Sequence, residues 1–95
     1  MIYDVIVTAT AEREVIDACI YYEAQLAGLS ISFLSELSVA YKKISEHPQY
    51  YSYISTINGY RDIKLRRFPY TIVYEVKINE VIVVSVFNTH RTPRY

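Results

Sequence analysis

Two apolar stripes of helical period, with a single glycine between them, constrain this chain more than any other feature of it. Ala11, Val15, Ala18, Cys19, Tyr22 and Leu26 recur at spacings of three and four, as do Phe33, Leu34, Leu37, Tyr41 and Ile44. Each set lines one face of an α-helix. Gly28 lies between them and suits the left-handed conformation that closes a helix, and Pro48 after His47 stops the second one. The spacing predicts helices over about 11–27 and 30–46, with Thr10 and Ser30 as N-caps. Glu12 and Glu14 add negative charge where a helix N-terminus favours it. Two helices joined by so short a turn form an antiparallel hairpin, and its apolar side needs a surface to cover. With 95 residues the chain is long enough for one domain, spanning 1–95, so the remaining segments must supply that surface.

Those segments read as strands. Ile2–Thr8 places Tyr3, Val5 and Val7 at period two. Tyr60–Phe68 alternates, with Ile63 and Leu65 on one side and Asp62, Lys64 and Arg66 on the other, until Pro69 turns the chain. Tyr70–Lys77 is a further strand, and Asn79 marks the turn into Val81–Phe87. That last run is nearly all apolar, as suits a strand covered on both faces or nearly so. Gln49–Gly59 is polar and tyrosine-rich without a steady period, and reads as a loop with a helical turn in it. The expected fold is therefore α+β, in the order β-α-α-β-β-β. An antiparallel four-stranded sheet carries the helix hairpin on one face.

Composition removes several function classes. The balance of 52% hydrophobic to 21% charged residues excludes a disordered chain. No run approaches the roughly 20 apolar residues that span a bilayer, and Ile2–Val7 is short and broken by Asp4, unlike a secretory signal. A cytoplasmic, membrane-free protein is expected. With two glycines there is no dinucleotide loop or P-loop, no His/Cys/Asp/Glu spacing suggests a metal, and no cofactor is expected. The one cysteine, Cys19, sits inside a helical stripe and reads as a small hydrophobe. The eleven tyrosines suit either aromatic core packing or a half-wet partner surface. Formal charge is zero overall but divided: residues 1–50 hold three bases against seven acids, and residues 51–95 seven bases against three acids. An anionic partner should meet the C-terminal half.

Several motifs resemble a known family. Tyr21–Tyr22–Glu23, Phe33–Leu34–Ser35–Glu36–Leu37, Ile44 and His47–Pro48 resemble the N-terminal half of ParE-type toxins. Arg66–Arg67–Phe68–Pro69–Tyr70–Thr71–Ile72–Val73–Tyr74 is similar to that group's rFPYxixY signature. Val81–Phe87 followed by Thr89–His90–Arg91–Thr92–Pro93 resembles its closing strand and tail. The resemblance covers nearly the whole chain and points to the RelE/ParE superfamily of type II toxin–antitoxin toxins, on the ParE-like, plasmid-stabilisation branch. It implies a cognate antitoxin as partner, in a toxin–antitoxin hetero-oligomer, and one of two activities. ParE-like members bind DNA gyrase and stop replication. RelE-like members cut messenger RNA in the ribosomal A site without a metal.

The residues bear differently on the two. Metal-free RNA cleavage needs a base for the 2′-hydroxyl, an acid for the leaving oxygen and cations for the phosphorane. On the resemblance, Lys64 and Arg66 fall on a K-L-R match, Arg91 near a second arginine, and His90 or Tyr95 near a terminal acid–base group. Asp62, however, stands where the ribonuclease pattern has another lysine, and His90 is offset by about one residue. This favours a gyrase-binding toxin with no chemistry of its own, using Arg67, Arg91, Arg94 and Tyr95 as target contacts. The ribonuclease, with Lys64, Arg66, His90, Arg91 and Tyr95, is the alternative. A third reading is a degenerate member that binds only its antitoxin. Plainer roles stand beside these. Lys64 and Arg66 can form a solvated strand face, and His90–Arg91 a surface tail. Arg61 or Arg67, which share the parity of Ile63, can pair with a carboxylate such as Glu75.

Overall fold

The computed structural model describes residues 2–55 and 57–90. Strand β1 (Asp4–Val7) leads into helix α1 (Ala9–Gln25) and helix α2 (Leu29–Glu46), then a single 3-10 turn at Pro48–Tyr50. Strands β2 (Tyr53–Ser55), β3 (Tyr60–Lys64), β4 (Tyr70–Val76) and β5 (Glu80–Asn88) follow. Among the described residues the sheet has five strands in the order β1-β5-β4-β3-β2, one more than expected. The addition is β2, which pairs irregularly with β3 inside the segment read as a loop. Three residues are too few for a period to declare itself. The helical turn expected in that segment is the one at Pro48–Tyr50.

The sheet is mixed rather than wholly antiparallel. β3, β4 and β5 are antiparallel neighbours, but β1 runs parallel to β5, with Val5 opposite Val81 and Val7 opposite Val83. Alternation along a strand is the same in either direction, so the pattern of Ile2–Thr8 carries no sign of its orientation. A parallel pair needs a long crossover, which everything between β1 and β5 supplies. The helix hairpin first brings the chain back to where β1 began, shown by the Tyr3 N–H donating to the Ser45 carbonyl at 2.8 Å.

Helix ends differ from expectation by a residue or two. Thr8, not Thr10, caps α1: its Oγ1 accepts from the Ala11 N–H at 3.2 Å while its own N–H donates to the Val83 carbonyl of β5. The same residue ends a strand and starts a helix. α1 stops at Gln25, so Leu26 falls off the inward stripe and is 64% exposed. Gly28 does adopt the left-handed region, at φ +89°, as the residue before α2. Ser30 does not cap. Its N–H and hydroxyl donate to Glu23 Oε1 at 3.2 and 2.6 Å, and the Gly28 N–H to Glu23 Oε2 at 2.9 Å. One carboxylate thus closes the hairpin turn, and these bonds, the Ser30 hydroxyl foremost, hold it below the usual carboxylate range.

The core lies between hairpin and sheet. Ala11 and Ala18 of α1, and Phe33, Leu37, Ala40 and Ile44 of α2, pack on Ile63, Leu65, Phe68, Tyr70, Ile72, Tyr74, Val81, Val83 and Val86. Leu34, expected on this face, is 44% exposed. The tyrosines serve both readings. Tyr22, Phe33, Phe68 and Tyr70 form one aromatic cluster with centroids 4.9–6.0 Å apart, whereas Tyr21 and Tyr50 face solvent. Tyr74 is fully buried, and its hydroxyl donates to the Pro48 carbonyl at 2.7 Å. That bond ties the turn after α2 to the central strand.

Candidate functional site

Arg66 and Arg67 lie in the tight connection between β3 and β4, which the sequence predicts as the end of a longer strand. β3 ends at Lys64. The Leu65 N–H then donates to the Tyr70 carbonyl at 2.9 Å, and the Tyr70 N–H to the Phe68 carbonyl at 2.8 Å. Leu65 and Phe68 turn inward and are buried, leaving Arg66, Arg67 and Pro69 exposed. Pro69 cannot donate to a ladder and sits outside it.

The turn is held from below by α2. Glu36 Oε1 accepts the backbone N–H groups of both Arg66 and Arg67, the latter at 2.8 Å, and Oε2 accepts from Arg67 Nε at 3.0 Å. Burial pulls the Glu36 carboxyl upward, but the Arg67 and Arg66 donors and the Arg67 charge outweigh it and leave it below its ordinary value. Arg67 therefore pairs with Glu36, not with Glu75, whose nearest cation is Lys77 at 3.7 Å. Arg61 takes neither carboxylate. Its Nη1 donates to the Gln49 and Tyr51 carbonyls at 3.2 and 2.6 Å, and its guanidinium lies 3.9 Å over the Tyr53 ring.

The start of the C-terminal tail meets this turn. The Thr89 N–H and Oγ1 both donate to the Pro69 carbonyl, at 2.7 and 3.2 Å, and the His90 N–H donates to Asn88 Oδ1 at 2.8 Å. One end of the sheet thus gathers Lys64, Arg66, Arg67 and His90, which the sequence singles out from segments more than twenty residues apart. Arg91, Arg94 and Tyr95 lie outside the described residues. Within the gathered set the charges are unequal. Lys64 Nζ is 3.1 Å from Asp62 Oδ2, and Arg67 is neutralised by Glu36, while Arg66 has no ion pair among the described residues. Asp62 thus weakens the cation field where the ribonuclease pattern would strengthen it.

Glu36 was visible to sequence only as part of a resemblance, because its partners are thirty residues away. Glu14 is similar. Its Oε1 accepts from the Ser85 hydroxyl at 2.9 Å and the Val86 N–H at 3.0 Å, just beyond the point where β1 stops pairing with β5. It satisfies the strand edge that β1 leaves open. The opposite end of the sheet carries an open groove of about 1020 Å³, lined by Tyr3, Gln49, Tyr53, Arg61 and Lys77 among others. Its arginine is committed to backbone carbonyls and its lysine to Glu75, and Asp4 and Glu80 also line it, so the groove offers less free positive charge than the Arg66 end. Cys19, half-buried in α1, has its thiol pushed up by burial and by Glu23, which keeps it protonated and unreactive. Among the described residues no three His, Cys, Asp or Glu converge as a metal site, and no helix is long and apolar enough to cross a membrane.

Comparison with known proteins agrees with this architecture. The family described as the ParE toxin of the type II toxin–antitoxin system parDE matches residues 5–93. Among solved structures, the chromosomal ParDE toxin–antitoxin system of P. aeruginosa is similar with a TM-score of 0.80 at 15% identity, covering 92% of this chain and 96% of that one. The RelBE2 toxin–antitoxin complex of Mycobacterium tuberculosis is similar with a TM-score of 0.60 at 20% identity, covering 93% and 99%. At these identities the likeness is one of fold. No curated protein matches the sequence.

Proposed function

This chain belongs to the ParE toxin family of type II toxin–antitoxin systems, and from that premise we propose that it inhibits DNA gyrase by binding it and is neutralised by a cognate antitoxin. The observation that carries this reading beyond the family match is the charge pairing at the Arg66 end. Two of its cations already have carboxylate partners, Lys64 with Asp62 and Arg67 with Glu36. A phosphorane needs several cations converging on it, whereas a protein target needs an exposed anchor and complementary surface. Arg66 on its turn, Arg67, and the tail residues Arg91, Arg94 and Tyr95 are the proposed contacts. The work is then done in the cytoplasm, with no cofactor.

The antitoxin is proposed to cover the outward side of the helix hairpin, where Ile16, Ile20, Ile31 and Val39 are about half or more exposed. A segment that folds on binding would bury them. The two solved structures named above are toxin–antitoxin systems, which supports such a hetero-oligomer here. The second reading, a ribosome-dependent ribonuclease, is favoured by one observation: Arg66 and His90 share a sheet end.

Purified toxin separates the two. On the favoured reading it inhibits supercoiling or stabilises cleaved DNA with gyrase and leaves messenger RNA on ribosomes uncut. Arg66→Ala and Arg91→Ala each then cost about 1–2 kcal/mol of binding, and deleting 92–95 removes toxicity. Codon-specific cuts in the A site, lost by 10²–10³-fold in Arg66→Ala, as expected for a phosphorane-stabilising cation, would overturn it.

A further inference from the structure

The connection between β3 and β4 presents two successive backbone N–H groups, those of Arg66 and Arg67, to a single carboxylate oxygen of Glu36. Adjacent N–H groups aimed at one point make an anion-binding concavity. Here it is filled from inside the protein by a helix residue whose side chain is only 13% exposed. The second oxygen of the same carboxylate takes the Arg67 side chain. Glu36 therefore does two things. It fixes the backbone of the turn, and it spends the charge of Arg67 while leaving that of Arg66 unpaired among the described residues. The effect passes along the chain: Pro69, two residues further, accepts both donors of Thr89, so the root of the tail rests on the turn that Glu36 holds.

We infer that Glu36 is a positioning residue for target binding, holding the turn at 65–69 so that Arg66 is presented from a fixed backbone. This rests on the reading that the Arg66 end meets the target. Glu36 touches no target itself and lies on the α2 side of the turn, with Leu37 beside it in the core. An arginine on a fixed turn binds better than one on a mobile loop, because ordering the loop on association costs free energy.

The test is a double-mutant cycle read as growth arrest, titrated by inducer in cells lacking antitoxin, so that the result holds whichever target is struck. The expected result is that Glu36→Ala and Arg66→Ala each raise the inducer needed for arrest several-fold, while the double variant exceeds Arg66→Ala by less than twofold. Residues acting as one unit show such non-additivity. Glu36→Gln keeps an oxygen for the two N–H groups and should recover part of the loss. Antitoxin affinity and melting temperature, measured on the purified variants, report whether the fold survives. If Glu36→Ala disrupts it, Glu36→Gln replaces it in the cycle. Fold-changes that multiply in the double variant, or a Glu36 variant as toxic as wild type when Arg66→Ala is not, would overturn the inference alone. An Arg66→Ala variant of full toxicity would instead overturn the reading that this end meets the target, and the inference with it.

Discussion

At the scale of single residues, carboxylates do most of the long-range work. Glu14, Glu23 and Glu36 each satisfy backbone N–H groups that no regular element would otherwise pair: a strand edge, a helix hairpin turn and a strand-to-strand turn. This makes the protein sensitive to acid in a defined direction. Glu23 and Glu36 are both held below their ordinary values in the folded state. A depressed carboxylate stabilises the fold above its unfolded pKa, about 4.3, and loses that contribution as pH falls through the folded value. The melting temperature of the wild type should therefore exceed that of Glu36→Gln most clearly near pH 6, with the gap closing below about pH 4. A gap that stays constant from pH 6 to 3 would show that Glu36 acts through shape rather than charge. Tyr41 is perturbed the other way: burial pushes its phenol up to about 12, so it stays neutral throughout this range.

At the scale of elements, the decisive question is which side of each helix faces the sheet. Leu37 is 4% exposed and packs in the core, while Leu34, one turn earlier, is 44% exposed. Leu37→Ala should cost about 2–5 kcal/mol, and Leu34→Ala clearly less, both measured by chemical denaturation. Equal losses would mean that α2 is rotated from the orientation described. Gly28 tests the hairpin differently. A Cβ there meets nothing within 4 Å, so Gly28→Ala carries no steric clash, only the roughly 1–2 kcal/mol cost of a left-handed residue with a side chain. The bulge in β5 belongs to this scale too. Val73 pairs with Ser85 and Tyr74 with Val83, leaving Val84 without a partner on β4, and the Val84 carbonyl accepts from Thr8 Oγ1 at 3.3 Å. The extra residue bends β5 locally where α1 begins.

At the scale of the whole molecule, one small core must hold together a chain whose outer surface keeps several large hydrophobics exposed. Ile16, Ile20, Ile31 and Val39 lie on the hairpin, and Ile57 and Ile78 at turns are nearly fully exposed. If a cognate antitoxin covers the hairpin group, it binds only the folded toxin and stabilises it by mass action. Saturating antitoxin at about 100 times its dissociation constant should add roughly 2.7 kcal/mol and raise the melting temperature by several degrees. Identical melting with and without antitoxin would remove the proposed partner surface. The basic sheet end and the exposed hairpin face present different chemistry, so a variant at Arg66 should leave antitoxin affinity nearly unchanged.

Local pattern sufficed for whatever depends on neighbours in the chain. The period of the two stripes made α1 and α2 and their antiparallel pairing legible, alternation located β1 and β3 with the inward side of Ile63 and Leu65, and the turn residues Pro69 and Asn79 together with the apolar run Val81–Phe87 marked β4 and β5. The signature from Arg66 to Tyr74 was enough to place the chain in its family. What the sequence could not carry were relations between distant segments. The direction of β1 is set by pairing with β5 some seventy-five residues away, and an alternating strand reads the same both ways. β2 exists because β3 offers it an edge, not because three residues prefer extension. Arg66, Arg67 and His90 were each legible as candidates, but only the tertiary structure puts Glu36 beneath the turn. That contact takes Arg67's charge and leaves Arg66's unpaired among the described residues. Hydrogen bonds and ion pairs act over a few ångströms, so which charges cancel depends on the assembled fold, and composition and spacing do not record it.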